Sequence, residues 1–343
     1  MTANNKLPVW DLMSDQMRAV VEKSAELAPT ANDTSGGFEA MRTAYTTERR
    51  YWNQGGPEME KTTDTIVSTP AGEVAVRFHY PSTATVNPVL IYIHGGGFIL
   101  GNLDTHDRIM RILANESGAT VVGVDYALSP EAKFPTALYQ CAWLAAHLHI
   151  EGAQYNIDPN QMGFAGDSGG ALMSLASYLF LRNEIGDASY IRALLLYYGM
   201  YGLRDSVSRR LLGGSWDGLT EEDLKYYMDC YLANPDDLRS PYVDCLSADL
   251  SQVPPCFILG AELDPLLDDS AALAAILTRH GRTHTHVIYP GVIHAFLHNS
   301  RHLYAAHEAL YQGACFFRGV VFGTANPQPP LIDLGDTDGF QSE

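Results

Sequence analysis

Gln161-Met162-Gly163-Phe164-Ala165-Gly166-Asp167-Ser168-Gly169-Gly170-Ala171-Leu172 is the stretch from which the rest of the chain can be read. The short apolar run to Ala165 has the length and composition of a buried strand, and Gly169 to Arg182 has the Ala, Leu and Ser content of a helix. Between them, Gly166-Asp167-Ser168-Gly169-Gly170 fits G-x-S-x-G. The pattern alone is weak, because chance supplies about 0.15 such matches in a chain of this composition. Its context strengthens it: a strand before and a helix after put Ser168 on a tight, strained turn. Glycines suit the flanks because side chains there would collide with the strand and helix that cross. The start of the helix also directs free N–H groups and partial positive charge at the serine. The plain alternative is a serine that merely caps a helix.

Outward from this run, strand and helix patterns alternate. Val74–Tyr80, Pro88–Ile93, Thr120–Asp125, Arg192–Tyr198, Cys256–Leu259 and His284–Tyr289 read as strands. Thr105–Ser117, Ala137–His149, Ser270–Arg279 and Leu303–Phe317 read as helices. Alternation of this kind predicts an α/β protein with a mostly parallel central sheet and helices on both faces. Ligands of such sheets bind beyond the carboxyl ends of the strands. Two segments stand outside the alternation: residues 1–55, with an amphipathic helix over Leu12–Leu27, and residues 199–241, rich in charge, Gly and Tyr. Both are expected to form a small helical cap on a single domain spanning 1–322. Residues 323–343 read as a flexible tail.

Composition sets limits. Of 343 residues 46% are apolar and 18% charged, enough for a sizeable core. A formal net charge of −18 argues against a nucleic-acid or anionic-membrane surface. No apolar stretch approaches the length of a membrane span, and the N-terminus has no basic region followed by an apolar run. The five cysteines (Cys141, Cys230, Cys245, Cys256, Cys315) form no Cys-x-x-Cys pair and read as reduced thiols of a cytoplasmic protein.

The remaining motifs follow strands. His94-Gly95-Gly96-Gly97 comes directly after Val89–Ile93, and chance supplies only about 0.01 such runs, so it is the more specific signal. Three glycines let the backbone approach a substrate and aim N–H groups at a developing oxyanion, with Gly169 adding a further donor. His94 itself reads as a hydrogen-bonder that fixes the loop. A serine hydroxyl needs an oriented base, and for this strand–turn–helix the chain order is Ser, acid, His. Asp264, in Gly260-Ala261-Glu262-Leu263-Asp264-Pro265, and His294, in Pro290-Gly291-Val292-Ile293-His294-Ala295-Phe296, both fall just after strands. Glu262, Asp268 and Asp269 rival the acid, and His280, His284, His286, His298 and His302 crowd the base. His284-Thr285-His286 would put two rings on one strand face, but no third ligand accompanies them, so no metal and no cofactor is expected.

With these residues in place the chain resembles the hormone-sensitive-lipase family of bacterial esterases, which are α/β-hydrolases. The likeness rests on His94–Gly97, Gly166–Gly170, Asp264-Pro265-Leu266, His294-Ala295-Phe296 and Asp125-Tyr126-Ala127-Leu128-Ser129-Pro130-Glu131 with Phe134-Pro135. Within that family, Gly96–Arg108 and Tyr201–Ser206 resemble the acetyl esterases of enteric bacteria. Gly169 departs from the family, which usually has Ala there. The resemblance implies hydrolysis of short-chain acyl esters by Ser168, Asp264 and His294, with oxyanion donors from the 94–97 loop, specifically Gly95 and Gly96, and from Gly169. It also implies a homodimer, and it carries binding of a maltose-gene transcription activator and an α-galactosidase.

The mechanism so expected is acyl transfer in two steps through an acyl-enzyme. A peptidase or amidase on the same fold is the rival enzyme reading, and a binding protein on an inactive hydrolase scaffold is the rival from another class. A base must be neutral to take the serine proton, so hydrolysis is predicted to fall as pH drops below about 6.5, the ordinary histidine value. A rate profile flat from about pH 8 to about pH 5 would exclude a histidine base.

Overall fold

A computed structural model of the chain describes residues 6–27, 36–84, 86–214 and 219–323. Eight strands form one sheet: β1 Lys61–Thr69, β2 Gly72–Tyr80, β3 Asn87–Ile93, β4 Thr120–Asp125, β5 Ile157–Asp167, β6 Ile191–Tyr197, β7 Cys256–Ala261 and β8 His284–Tyr289. Their order is β1-β2-β4-β3-β5-β6-β7-β8. β1/β2 and β2/β4 pair antiparallel, and every other pair is parallel. The helices are α1 Val9–Leu12, α2 Asp15–Leu27, α3 Gly37–Trp52, α4 Asp107–Ser117, α5 Thr136–Glu151, α6 Gly169–Phe180, α7 Val207–Leu212, α8 Glu221–Tyr231, α9 Leu267–Arg279 and α10 Tyr304–Phe322.

The alternation along each central strand builds two cores. Val89, Ile91 and Ile93 of β3 join Leu138, Leu172 and Leu273 of α5, α6 and α9 on one face. Leu90 and Tyr92 join Leu113 of α4 and Leu310 and Phe317 of α10 on the other. Burial on both faces is why these strands are continuous apolar runs rather than alternating ones. β1 escaped the sequence reading for the opposite reason. Its Lys61-Thr62-Thr63-Asp64-Thr65 start is polar, it lies at the sheet edge, and of its residues only Val67 is buried. The strand is held instead by its hairpin register with β2 and by Arg77 of β2, whose guanidinium grips both Asp64 carboxylate oxygens at 2.8 Å.

Among the described residues, the segments outside the alternation contribute α1, α2, α3, α7 and α8. α2 buries Met17 and Val20 in the core that also holds Tyr289, Val292 and Leu303. α8 starts where Thr220 and Asp223 form a capping box. Its far end packs on the loops after β3 and β4: Tyr231 stacks on Phe98 with ring centres 3.8 Å apart, and its carbonyl accepts the Phe134 N–H. Of the expected tail only Gly323, which closes α10 in the left-handed region, is among the described residues.

One contact sets where α6 can lie. A Cβ on Gly170 would overlap the Ile93 carbonyl oxygen, and one on Gly166 would come within 2.6 Å of it. The start of α6 therefore rests directly on the end of β3. Gly170→Ala should destabilise the fold by about 3 kcal/mol, the upper range for a methyl group forced into a packed interior. Urea unfolding measures this, and an unchanged midpoint would contradict so close a crossing.

Candidate active site

β5 ends at Asp167 and α6 begins at Gly169, so Ser168 makes the turn alone, with φ 53° and ψ −123°. A non-glycine residue holds such a conformation only where its surroundings impose it. Here the Ser168 N–H donates to the Tyr197 carbonyl at 2.9 Å, and the Ser168 carbonyl accepts from Ala171 N–H at 3.0 Å. Ser168 is half-buried between buried neighbours.

The loops after β7 and β8 meet it. His294 Nε2 lies 2.8 Å from Ser168 Oγ, and His294 Nδ1 lies 2.7 Å from Asp264 Oδ2. An ionised carboxylate accepts only, so Nδ1 carries the proton and Nε2 accepts the serine hydroxyl. Asp264 is fully buried, and its other oxygen accepts the Leu266 N–H at 2.7 Å. The rivals are engaged elsewhere. Glu262 accepts the Gly291 N–H, Asp268 accepts the Ser208 N–H, and Asp269 accepts the N–H groups of Tyr201, Gly202 and Leu203 and a guanidinium N–H of Arg209. Among the rival histidines, His302 pairs with the Tyr51 hydroxyl and His284 with the Arg282 carbonyl.

The 94–97 loop corrects one expectation. The Gly95 N–H donates to Asp167 Oδ1 at 2.9 Å, so it is committed within the protein and is not an oxyanion donor. Gly95 is buried with it, whereas Gly96 and Gly97 are partly exposed. The N–H groups of Gly96, Gly97 and Gly169 have no acceptor among the described residues. Gly96 and Gly97 have φ of 114° and 59°, a backbone that admits few other residues. His94 fixes the loop, as read from the sequence: its Nδ1 lies 2.8 Å from the Gly95 carbonyl, and its ring stacks on Tyr126, whose hydroxyl donates to the His94 carbonyl. Gly169 also has a local reason. A Cβ there would stand 3.0 Å from the Phe98 ring, so the alanine usual in the resembling family would press on it.

Asp167 is the residue whose role sequence reasoning missed. It is buried, and besides Gly95 N–H its Oδ1 accepts the Tyr92 hydroxyl at 2.7 Å. Burial raises its pKa, but His106, His298 and the Tyr92 hydroxyl outweigh burial and hold the carboxyl well below the usual range. The available signal was strand register: Ile93 pairs with Gly166, so residue 167 must lie beside residues 94 and 95. His106, Asp167 and His298 also bring potential ligand atoms within 4.8 Å of one another, all buried. The His284–His286 pair gathers no third ligand among the described residues.

The chain belongs to the α/β-hydrolase fold family, whose model matches residues 90–298. Solved structures agree. A hyperthermophilic esterase from the archaeon Pyrobaculum calidifontis is 30% identical with a TM-score of 0.84, the match covering 90% of this chain and 98% of that one. An ester hydrolase from the metagenome of Lake Arreo, solved with a bipyridine phosphonate derivative, is 28% identical with a TM-score of 0.84, covering 91% and 100%. A thermophilic carboxylesterase cloned from a metagenomic library is 27% identical with a TM-score of 0.79, covering 83% and 98%.

Buried neutral histidines make the site sensitive to acid. Burial and the neighbouring His106 lower His94 to about 3. Above about pH 6.5 His94 is neutral both folded and unfolded and has no effect; below it the unfolded chain binds a proton that the folded one refuses. Stability is therefore lost as pH falls from about 6.5 towards 3, by on the order of 1.4 kcal/mol per pH unit from this group. His94→Gln should flatten the stability-against-pH slope in that window by about this amount; equal slopes in urea titrations would refute the assignment.

Proposed function

We propose that the chain is a serine carboxylesterase acting on short-chain acyl esters. The observation that carries the reading is the continuous line from Asp264 Oδ2 through both nitrogens of His294 to Ser168 Oγ, at 2.7 and 2.8 Å. His294 takes the Ser168 proton as Oγ attacks the ester carbonyl, and buried Asp264 holds the imidazole in the required tautomer and stabilises the imidazolium. The tetrahedral oxyanion takes the N–H groups of Gly96, Gly97 and Gly169. His294 then protonates the departing alcohol, and water activated by the same nitrogen releases the acid.

Three considerations support the substrate class. The related solved proteins are esterases by name. Next, the resemblance of Gly96–Arg108 to acetyl esterases favours small acyl groups. The third is steric. The Tyr227 ring of α8 closes on Gly97, where a Cβ would lie 2.7 Å from it, and Phe98 closes on Gly169. Aromatic walls this near the donors leave little length for an acyl chain on that side. In this reading residues 1–55 and 199–241 act as the cap, and the working form is a homodimer.

A fluorophosphonate should form a single adduct on Ser168, and Ser168→Ala and His294→Ala should each lower kcat by about 10⁴-fold or more. On p-nitrophenyl esters, kcat/KM should be greatest for acetyl to butyryl and fall steeply for long chains, with aminoacyl anilides untouched. A folded protein that neither labels nor hydrolyses these esters would end the proposal.

A further inference from the structure

Two of the three glycine donors, Gly96 and Gly97, belong to a loop that a helix far away in sequence holds from outside. Arg42 lies on α3, upstream of the region matched by the family model. Its Nε donates to the Ile99 carbonyl at 2.9 Å, two residues past Gly97. Its Nη2 donates to the Ser129 carbonyl at 2.9 Å, and both terminal nitrogens grip the Glu131 carboxylate at 3.0 and 2.8 Å. The Ser129 N–H in turn donates to the Phe98 carbonyl at 2.9 Å. One planar guanidinium thus closes a ring of hydrogen bonds through Phe98, Ile99 and Ser129. Phe98 needs such a hold: its φ is 68°, in the left-handed region, and the Ile99 and Leu100 N–H groups turn back to the Gly96 carbonyl.

We propose that Arg42 is a positioning residue for the oxyanion donors. By fixing the Ile99 carbonyl against Ser129, it sets the direction of the Gly96 and Gly97 N–H groups without touching substrate. The inference rests on the esterase reading above. Lysine cannot substitute, because a point charge lacks the fork that meets two carbonyls and a carboxylate together. Two further contacts bind α3 to the same loop: Met41 packs with Ile99 and Leu100, and Asn102 Nδ2 donates to Thr46 Oγ1 at 3.4 Å.

The test uses the full chain with Arg42→Lys and Arg42→Met. Active sites are counted by fluorophosphonate labelling, kcat and KM on p-nitrophenyl acetate are taken per counted site, and affinity is measured for a short alkyl boronic acid, which forms a tetrahedral adduct on serine. Misdirected donors should lower kcat per site by about 10- to 100-fold, with KM changed by less than about threefold. Boronate affinity should fall in parallel, because that adduct uses the same donors. A purely structural Arg42 would lower the melting temperature and the number of labelled sites, and leave kcat per site and boronate affinity within about twofold of the parent; that result overturns the proposal. Should the methionine variant not fold, the lysine variant decides alone by the same measures. A parent chain that neither hydrolyses the ester nor labels at Ser168 would instead refute the esterase reading, and this inference with it.

Discussion

The close crossing of α6 over the end of β3 is the constraint on which the site depends. Gly170 and Gly166 lie so near the Ile93 carbonyl that neither can carry a side chain. With the helix this close, the chain has one residue in which to leave β5 and enter α6, and Ser168 takes up the whole reversal at positive φ. The same crossing brings the 94–97 loop beside the serine, since that loop begins where β3 ends. Nucleophile and oxyanion loop are thus placed by one packing event between backbones, and no side chain is needed to bring them together.

Asp167 converts that proximity into orientation. The last residue of β5 gives its carboxylate to the Gly95 N–H and the Tyr92 hydroxyl, both from the neighbouring strand and its loop. A buried carboxylate is costly unless it is hydrogen-bonded, and these two donors meet it, with His106 Nε2 3.5 Å away. Spending the first N–H of the loop on this anchor leaves the next two free, and those two are the partly exposed ones. The division of labour within three consecutive glycines follows from which of them faces Asp167.

Much of this was legible in the sequence, for physical reasons that also mark where legibility ends. The central strands were readable because burial on both faces demands continuous apolar residues, and the glycine-flanked serine was readable because steric exclusion leaves few alternatives. β1 was not, because an edge strand stabilised by a hairpin and an Arg77–Asp64 pair needs no apolar run. The choice of Asp264 over Glu262, Asp268 and Asp269 had only chain order and a family likeness behind it, since all four sit on one short stretch; the fold separates them by setting Asp264 against His294 Nδ1 and turning the other three to N–H groups elsewhere. The assignment of Gly95 as a donor erred because sequence reveals which N–H groups a loop possesses but not which acceptor reaches them first.

The backbone itself records where the work of the molecule is done. Phe98, Ser168, Tyr198 and Ala295 all have positive φ, and all lie on the loops that surround the serine; Asn156, at the start of β5, is the one other such non-glycine residue among those described. Each such conformation costs about 1–3 kcal/mol and persists only where the surroundings over-determine it. The surroundings here are the two cores, one on each face of the sheet, whose strands, all but the antiparallel β2, end at the same rim. Strain gathered at that rim is held by packing below it and by long-range clamps above it. The active constellation is therefore stable only as a property of the whole sheet, and the residues that maintain it are drawn from every part of the chain.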